Sequence, residues 1–159
     1  MKLLFTLTFA IFICQIGYSQ HVFTSERYGI SFESSVLLEA YETESSNVLG
    51  YESNDYAVDI EVFTFDEEPA SLLKDAKLSA EKTAEMLGLK STQDGGSLPN
   101  IKNAYYVLSY EIAENETSPV FVAFIIDEKQ KLVFEVTTYC YNKNLEEGKR
   151  ITESFKLTK

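Results

Sequence analysis

The chain has 159 residues, with 25 Asp and Glu against 14 Lys and Arg for a formal charge of −11, one histidine and no tryptophan. A field of that sign repels nucleic acid and anionic membrane surfaces, so neither is expected as a partner. With His21 as the only histidine, no Ser-His-Asp or Cys-His constellation and no multi-histidine zinc site is expected either.

The N-terminus opens on Met1 and Lys2, followed by an apolar run from Leu3 to Cys14 that is broken only by Thr6 and Thr8. A charged start, about 12 apolar residues, and Gly17 and Ser19 at the −3 and −1 positions of a cut after Ser19 predict a secretory signal over residues 1–19. The run falls short of the roughly 20 apolar residues that a bilayer-spanning helix needs, so no stable membrane anchor is expected. Ile11, Phe12 and Ile13 precede Cys14, where lipoprotein processing needs a small residue, so a lipid anchor is not expected. Residues 20–159 are then one exported domain, periplasmic or extracellular. Losing Lys2 leaves it 13 basic and 25 acidic residues, a charge of −12. Cys140 is its lone cysteine, so packing and not a disulfide framework must hold it together.

Along that domain, Tyr28, Ile30 and Phe32 alternate with Gly29, Ser31 and Glu33, and the apolar pattern resumes from Val36 to Tyr41, predicting a first strand and its partner. Glu42 to Asn47 reads as a loop. Tyr56, Val58, Ile60 and Val62 alternate with Ala57, Asp59, Glu61 and Phe63, a strand with one buried face and one wetter face. Asp66, Glu67, Glu68 and Pro69 precede Leu73, Ala76, Ala80, Ala84 and Leu87 at helical spacing, with Gly88 beyond, which predicts a helix from Ala70 to Leu87.

Gly95-Gly96 reads as a turn, Ala104 to Ile112 as a strand region, and Asn115 to Pro119 as a loop. Val120 to Ile126 and Leu132 to Tyr141 flank a short polar stretch and predict a hairpin of unspecified turn type. Asn144, with Glu147 three residues on, resembles a reciprocal N-cap opening a short helix that carries Leu145, Ile151 and Phe155. Phe155 and Leu157 close the chain as a strand or extended tail. The fold class is α+β: a central antiparallel sheet of about six strands, flanked by one long helix and a short C-terminal helix.

The residues Tyr28-Gly29-Ile30-Ser31-Phe32, the helix after Glu67-Glu68-Pro69, the hairpin from Val120 to Tyr139 and the closing Ile151-Thr152-Glu153-Ser154-Phe155-Lys156-Leu157 together span most of the domain. In that order they resemble the PsbP-like family of exported α/β/α sandwich domains, named for the extrinsic P-protein of photosystem II. The resemblance is one of element order and implies a central antiparallel sheet with helices on both sides. It also implies a binding or assembly role without chemistry, and it carries no functional residue onto this chain.

The side chains themselves assign no catalytic, cofactor-binding or metal site. His21 at position three of a chain cut after Tyr18 would suit copper(II), but a tail residue is the plainer reading. Cys140 reads as a buried, inert thiol. Asp59 with Glu61, and Asp66 with Glu67 and Glu68, lack the spacing of a carboxylate pair or a calcium loop and read as solvated surface, the latter group serving the helix dipole. Gly95-Gly96 is no phosphate loop, and Asn115-Glu116-Thr117 is a glycosylation pattern only for a eukaryotic route. Phe63, Phe65, Tyr105, Tyr106, Tyr139 and Tyr141 read as core if both sheet faces are covered, and otherwise as an aromatic patch rimmed by acids for a basic or amphipathic partner. The leading reading is an exported, non-enzymatic binding or accessory domain of the bacterial envelope with an unknown protein or small-molecule partner. The alternative is a small hydrolase or lyase using carboxylates or tyrosine, to be recognised by a concave pocket where two carboxylates converge with raised proton affinity.

Overall fold

A computed structural model describes residues 20–67, 72–113 and 116–159. The expected signal segment lies outside them. In chain order the elements are β1 (His21–Ser25), β2 (Ile30–Ser34), β3 (Glu39–Tyr41), β4 (Val48–Glu52) and β5 (Tyr56–Thr64), then a 3-10 turn (Leu72–Lys74) and α1 (Ala76–Met86). They continue as β6 (Lys90–Ser97), β7 (Ala104–Ala113), β8 (Glu116–Asp127), β9 (Leu132–Cys140), α2 (Leu145–Glu153) and β10 (Lys156–Leu157). Seven strands form an antiparallel sheet in the order β3-β4-β5-β9-β8-β7-β6, and β1-β2-β10 form a second, small sheet.

Period-two alternation divides the residues of the main sheet between two cores. Tyr56, Val58, Ile60, Phe121, Ile125, Phe134 and Val136 face the small sheet and α2, which supply Ile30, Phe32, Ile151 and Phe155. Phe32 is the hub, with its ring centroid 4.9 Å from Phe23, 5.1 Å from Phe155 and 5.3 Å from Tyr51. On the opposite face Val107, Val120, Val122, Phe124 and Val133 pack under Ala80 and Ala84 of α1. The helix buries Ser79, Ala80, Thr83 and Ala84, small residues that bring its backbone close to the sheet. Among the described residues no helix is long and apolar enough to cross a membrane.

Several expectations are corrected. The helix does not run from Ala70: Asp75 Oδ1 accepts from the N–H groups of Lys77 and Leu78, each at 3.1 Å, and so starts α1 at Ala76. Its end is as expected, since Gly88 at φ 73° lets its own N–H reach Glu85 O and the Leu89 N–H reach Ala84 O, the paired bonds of a Schellman motif. Glu67 serves no helix dipole. Its carboxylate accepts from Thr64 N at 2.7 Å and Thr64 Oγ1 at 2.8 Å, closing the turn after β5.

Ile30 to Ser34 pairs with β1 and β10, while the segment after Ser34 crosses to the main sheet, where β3 pairs with β4. Gly95-Gly96 lies inside strand β6, at the register shift between Asp94 and Gly96, and Pro119 lies in the β7-β8 ladder opposite Tyr110. The turn of the β8-β9 hairpin is built by Asp127, whose side chain accepts from Lys129 N, Gln130 N and Gln130 Nε2 at 2.8 to 3.1 Å.

At α2 the cap is one-sided. Asn144 Oδ1 accepts from Glu147 N at 3.3 Å, but the Glu147 carboxylate turns to Ser35 N at 3.0 Å and to Arg150 Nε at 2.8 Å, tying the helix to the crossing between the sheets. Burial works against its charge, yet the Arg150 guanidinium and the Ser35 N–H hold the carboxyl below the usual range. A depressed pKa contributes stability above the unfolded value that is lost as pH falls through the folded one. Glu147→Gln is expected to cost about 1–2 kcal/mol at neutral pH and progressively less as pH falls through the folded value. Urea titrations at neutral and acid pH test this, and an equal loss at both would refute the charge-assisted tie.

Candidate functional site

Helix α1 packs on β6, β7 and β8, and Phe63, Phe65, Leu72 and Leu73 extend that cover over one end of β5 and β9. At the other end no described helix packs extensively on β3, β4 or β5, so the same sheet face has no second layer there, although Ala57 and Thr137 on it are buried. Alternation and register place on it Tyr41 of β3, Gly50 and Glu52 of β4, Asp59 of β5, Tyr139 of β9 and, one turn residue on, Tyr141. Glu111, near the end of β7, borders them.

Gly50 organises this surface. It stands opposite both Tyr41 and Asp59, and a Cβ there would overlap the Tyr41 ring. The ring therefore lies flat across the glycine and its hydroxyl donates to Asp59 Oδ1. Next to this pair, the Tyr139 and Tyr141 rings stack at 6.3 Å with an 18° interplanar angle, Tyr139 half-buried and Tyr141 47% exposed.

The electrostatics are uniform in sign. Burial raises the Asp59 carboxyl above its ordinary value; the Tyr41 hydrogen bond opposes this and Glu52 adds to it. Burial, then the bond to Asp59 and the charges of Asp59 and Glu52, raise Tyr41. Burial is also the first cause for Tyr139 and Tyr141, with the fields of Asp59 and Glu111 on both and of Glu52 on Tyr141. Of the described carboxylates whose pKa is displaced, Asp59 alone is raised, whereas Glu67, Asp94 and Glu147 are lowered.

Gly50→Ala is expected to lift Tyr41 off the sheet, break its bond to Asp59 and cost about 1–3 kcal/mol, as overpacking does. Chemical denaturation tests this. A variant as stable as the parent would mean that the ring is not held.

The residues singled out in the sequence fall in different places. Asp59, Tyr139 and Tyr141 come together on the open face, and Glu61 lies one pleat along it. Phe63 and Phe65 are absorbed by the α1-side core, and Tyr106 is buried with its hydroxyl donating to Glu153. Tyr105 donates to Asp94 Oδ1 at 2.5 Å, beside Lys77. Cys140 is fully buried against Gly148, and its thiol is pushed up to about 12 by burial and then by Glu147. His21 is no tail residue; it opens β1 opposite Ser34. Sequence reasoning missed Tyr41, Gly50, Glu52 and Glu111. A glycine flanked by Leu49 and Tyr51 was the available signal for β4.

Two cavities lie elsewhere. One of about 550 Å³ opens beside α2, lined by Gln20, Ser35, Asn144, Glu147, Lys149 and Arg150 among others. Another of about 500 Å³ lies at the start of α1. Neither includes Asp59, and the displaced carboxylate in the first, Glu147, is lowered and ion-paired. Among the described residues no three His, Cys, Asp or Glu side chains are placed to hold a metal ion.

No protein family and no curated protein matches the chain as a sequence. Its fold does match solved structures. The cyanobacterial PsbP of Synechocystis sp. PCC 6803 superposes with a TM-score of 0.61 at 7% identity, over 90% of this chain and 95% of that one. The Ran-binding protein Mog1p of Saccharomyces cerevisiae gives a TM-score of 0.56 at 9% identity, over 87% and 95%. A point variant of Mog1 gives 0.52 at 11% identity, over 82% and 91%. At such identities the likeness is one of architecture, and the chain carries the PsbP-like α+β fold.

Proposed function

We propose that this chain is an exported, non-enzymatic accessory domain of the bacterial envelope, and that it binds a protein partner through the open face of β3, β4, β5 and β9. The observation that carries the reading is the uncovered half-face itself. Tyr141 stands exposed, stacked on Tyr139, beside a part-buried carboxylate that burial leaves poorly stabilised. A domain that only had to fold gains nothing from the Tyr141 ring left half in water and a charge held in a desolvated place; a recognition surface gains from both. The fold supports the reading without supplying a partner, because one of its structural neighbours is described as a Ran-binding protein. Export rests on the secretory character of residues 1–19.

The test is capture from the envelope extract of the source organism on immobilised protein, with the parent chain compared against Tyr141→Ala and Asp59→Asn. A saturable partner that both substitutions release is expected. A partner retained by both variants would place binding elsewhere on the molecule. Turnover of any substrate abolished by Asp59→Asn would replace this reading with a catalytic one.

A further inference from the structure

One cluster elsewhere on the molecule shows what the open face lacks. Tyr105 donates its hydroxyl to Asp94 Oδ1 at 2.5 Å, Lys77 Nζ pairs with the same oxygen at 2.9 Å, and that ammonium stands 5.4 Å from the Tyr105 ring centroid. Tyrosine, carboxylate and cation thus satisfy one another on an exposed surface, the cation lying both on the ring and against the acid. Two other rings are met in the same way, Tyr28 by Arg27 at 4.8 Å and Phe65 by Lys131 at 5.1 Å.

On the open face Tyr41 and Asp59 reproduce the tyrosine–carboxylate half of that cluster. The stacked rings of Tyr139 and Tyr141 add a second aromatic platform. No cation of the described chain completes it. Among the described residues the ion pairs join Lys77, Lys149, Arg150 and Lys156 to acids elsewhere, and the carboxylates whose charge acts on Tyr41, Tyr139 and Tyr141 are Asp59, Glu52 and Glu111. The two acids differ with their surroundings: exposed Asp94 is held below the usual range, first by Tyr105 and then by Lys77, whereas Asp59 is raised first by burial, with the Tyr41 bond opposing.

We infer that the open face takes an arginine-bearing segment of a partner protein, its guanidinium lying on the Tyr139–Tyr141 pair and its N–H groups directed to Asp59, with Glu52 and Glu111 as the acidic rim. Arginine is preferred to lysine because the site offers flat rings and carboxylates together. A planar, weakly hydrated guanidinium can stack on the rings and donate in its own plane at the same time, while a compact ammonium must give up more water to do either. The charge of the whole chain, −11, steers such a segment in and makes its capture dependent on salt. This inference rests on the proposed binding role and names the chemistry of the partner.

The probe is an acetylated, amidated peptide of four Arg-Thr repeats, titrated by calorimetry into the chain, with the Lys-Thr and Glu-Thr peptides as comparisons. The arginine peptide is expected to bind, the lysine peptide about threefold or more weakly, and the glutamate peptide not at all. Tyr141→Ala is expected to weaken the arginine peptide by about fivefold or more, and Glu111→Gln, an exposed change that leaves folding alone, by about twofold. Asp59→Asn is expected to weaken it strongly while the melting temperature holds or rises, because the variant removes a charge from a desolvated place. Raising salt from about 50 to about 300 mM weakens binding further. Undetectable binding of the arginine peptide overturns the inference. So does equal binding of the arginine and lysine peptides, or binding indifferent to Tyr141→Ala and Asp59→Asn, which is attraction to a diffuse acidic surface. If the peptide fails while envelope capture still depends on Tyr141 and Asp59, the open face binds a partner of other chemistry and only this inference falls. If capture is also indifferent to them, the proposed function falls with it.

Discussion

Gly148→Ala is expected to destabilise the protein by about 1–3 kcal/mol and to lower its melting temperature by several degrees, the reverse of what the same change does on an open helix. Glycine inside a helix ordinarily costs about 1 kcal/mol relative to alanine, so a neutral environment would reward the substitution. Here Gly148 lies in the first turns of α2 where the helix crosses β8 and β9. An added Cβ would press into Cys140 Sγ and stand 2.9 Å from Phe121 Cε2. Cys140 is fully buried and Phe121 nearly so, and neither has water to retreat into.

Truncating the thiol separates this packing account from a general weakness of α2. Cys140→Ala alone leaves a small void and costs about 1 kcal/mol, but in the Gly148→Ala background it vacates the space that the new methyl needs. The double variant is therefore expected to lose less than the sum of the singles, the coupling of residues that touch. Urea denaturation of the four proteins measures the cycle. A Gly148→Ala variant as stable as the parent, or strictly additive losses, would show that this contact does not set the position of α2.

The same residues mark how far the sequence could be read. The alternation from Tyr56 to Phe63 carried β5 and its two faces correctly, because a strand central to a sheet must bury one side. Asn144 with Glu147 located the start of α2, and the β8-β9 hairpin followed from two β-branched, aromatic runs. Strand β6 was illegible. Lys90–Ser97 is an exposed edge with no apolar alternation, held by pairing to β7, and the Tyr106 ring covers Gly95 so closely that a Cβ there would lie 2.5 Å from its Cδ2. That cover comes from another strand, and a local window sees only two glycines, which read as a turn. Gly50 under Tyr41 is the same device at the other side of the sheet. The candidate site was half legible for this reason: Asp59, Tyr139 and Tyr141 stood in predicted strands, whereas Tyr41 joins them only because a glycine nine residues on lets its ring cross the sheet. Which end of the face stays open depends on where α1 and the 3-10 turn come to rest, and the start of α1 was displaced by the Asp75 cap.

Stability is expected to change little from neutral pH to about 9 and then to fall steeply, with unfolding midpoints in urea dropping as pH rises through 10 and beyond. The cause is a set of acids that the fold keeps protonated. Burial is the first cause of a raised pKa for Tyr41, Tyr51, Tyr56, Tyr106, Tyr139 and Tyr141, and it pushes the Cys140 thiol from an ordinary 9.0 up to about 12. For each, the folded pKa lies above the unfolded one. Its contribution is therefore complete below the unfolded value, near 9 for the thiol and 10 for the phenols, and is lost as pH rises toward the folded value, where the unfolded chain has already released its proton. The fully buried groups, Tyr56, Tyr106 and Cys140, carry most of this effect, and the part-exposed rings, Tyr141 above all, add less because solvent screens them. With 10 tyrosines and no tryptophan, phenolate absorbance follows the same event directly, and the buried tyrosines should ionise together with loss of structure and not one by one. Cys140→Ala should delay the onset from about 9 to about 10 without removing the later fall, since the thiol is the first of these acids to titrate in the unfolded chain. Smooth, independent tyrosine titration with midpoints in urea unchanged to pH about 11 would contradict the buried, proton-holding core from which both cores and the open face take their shape.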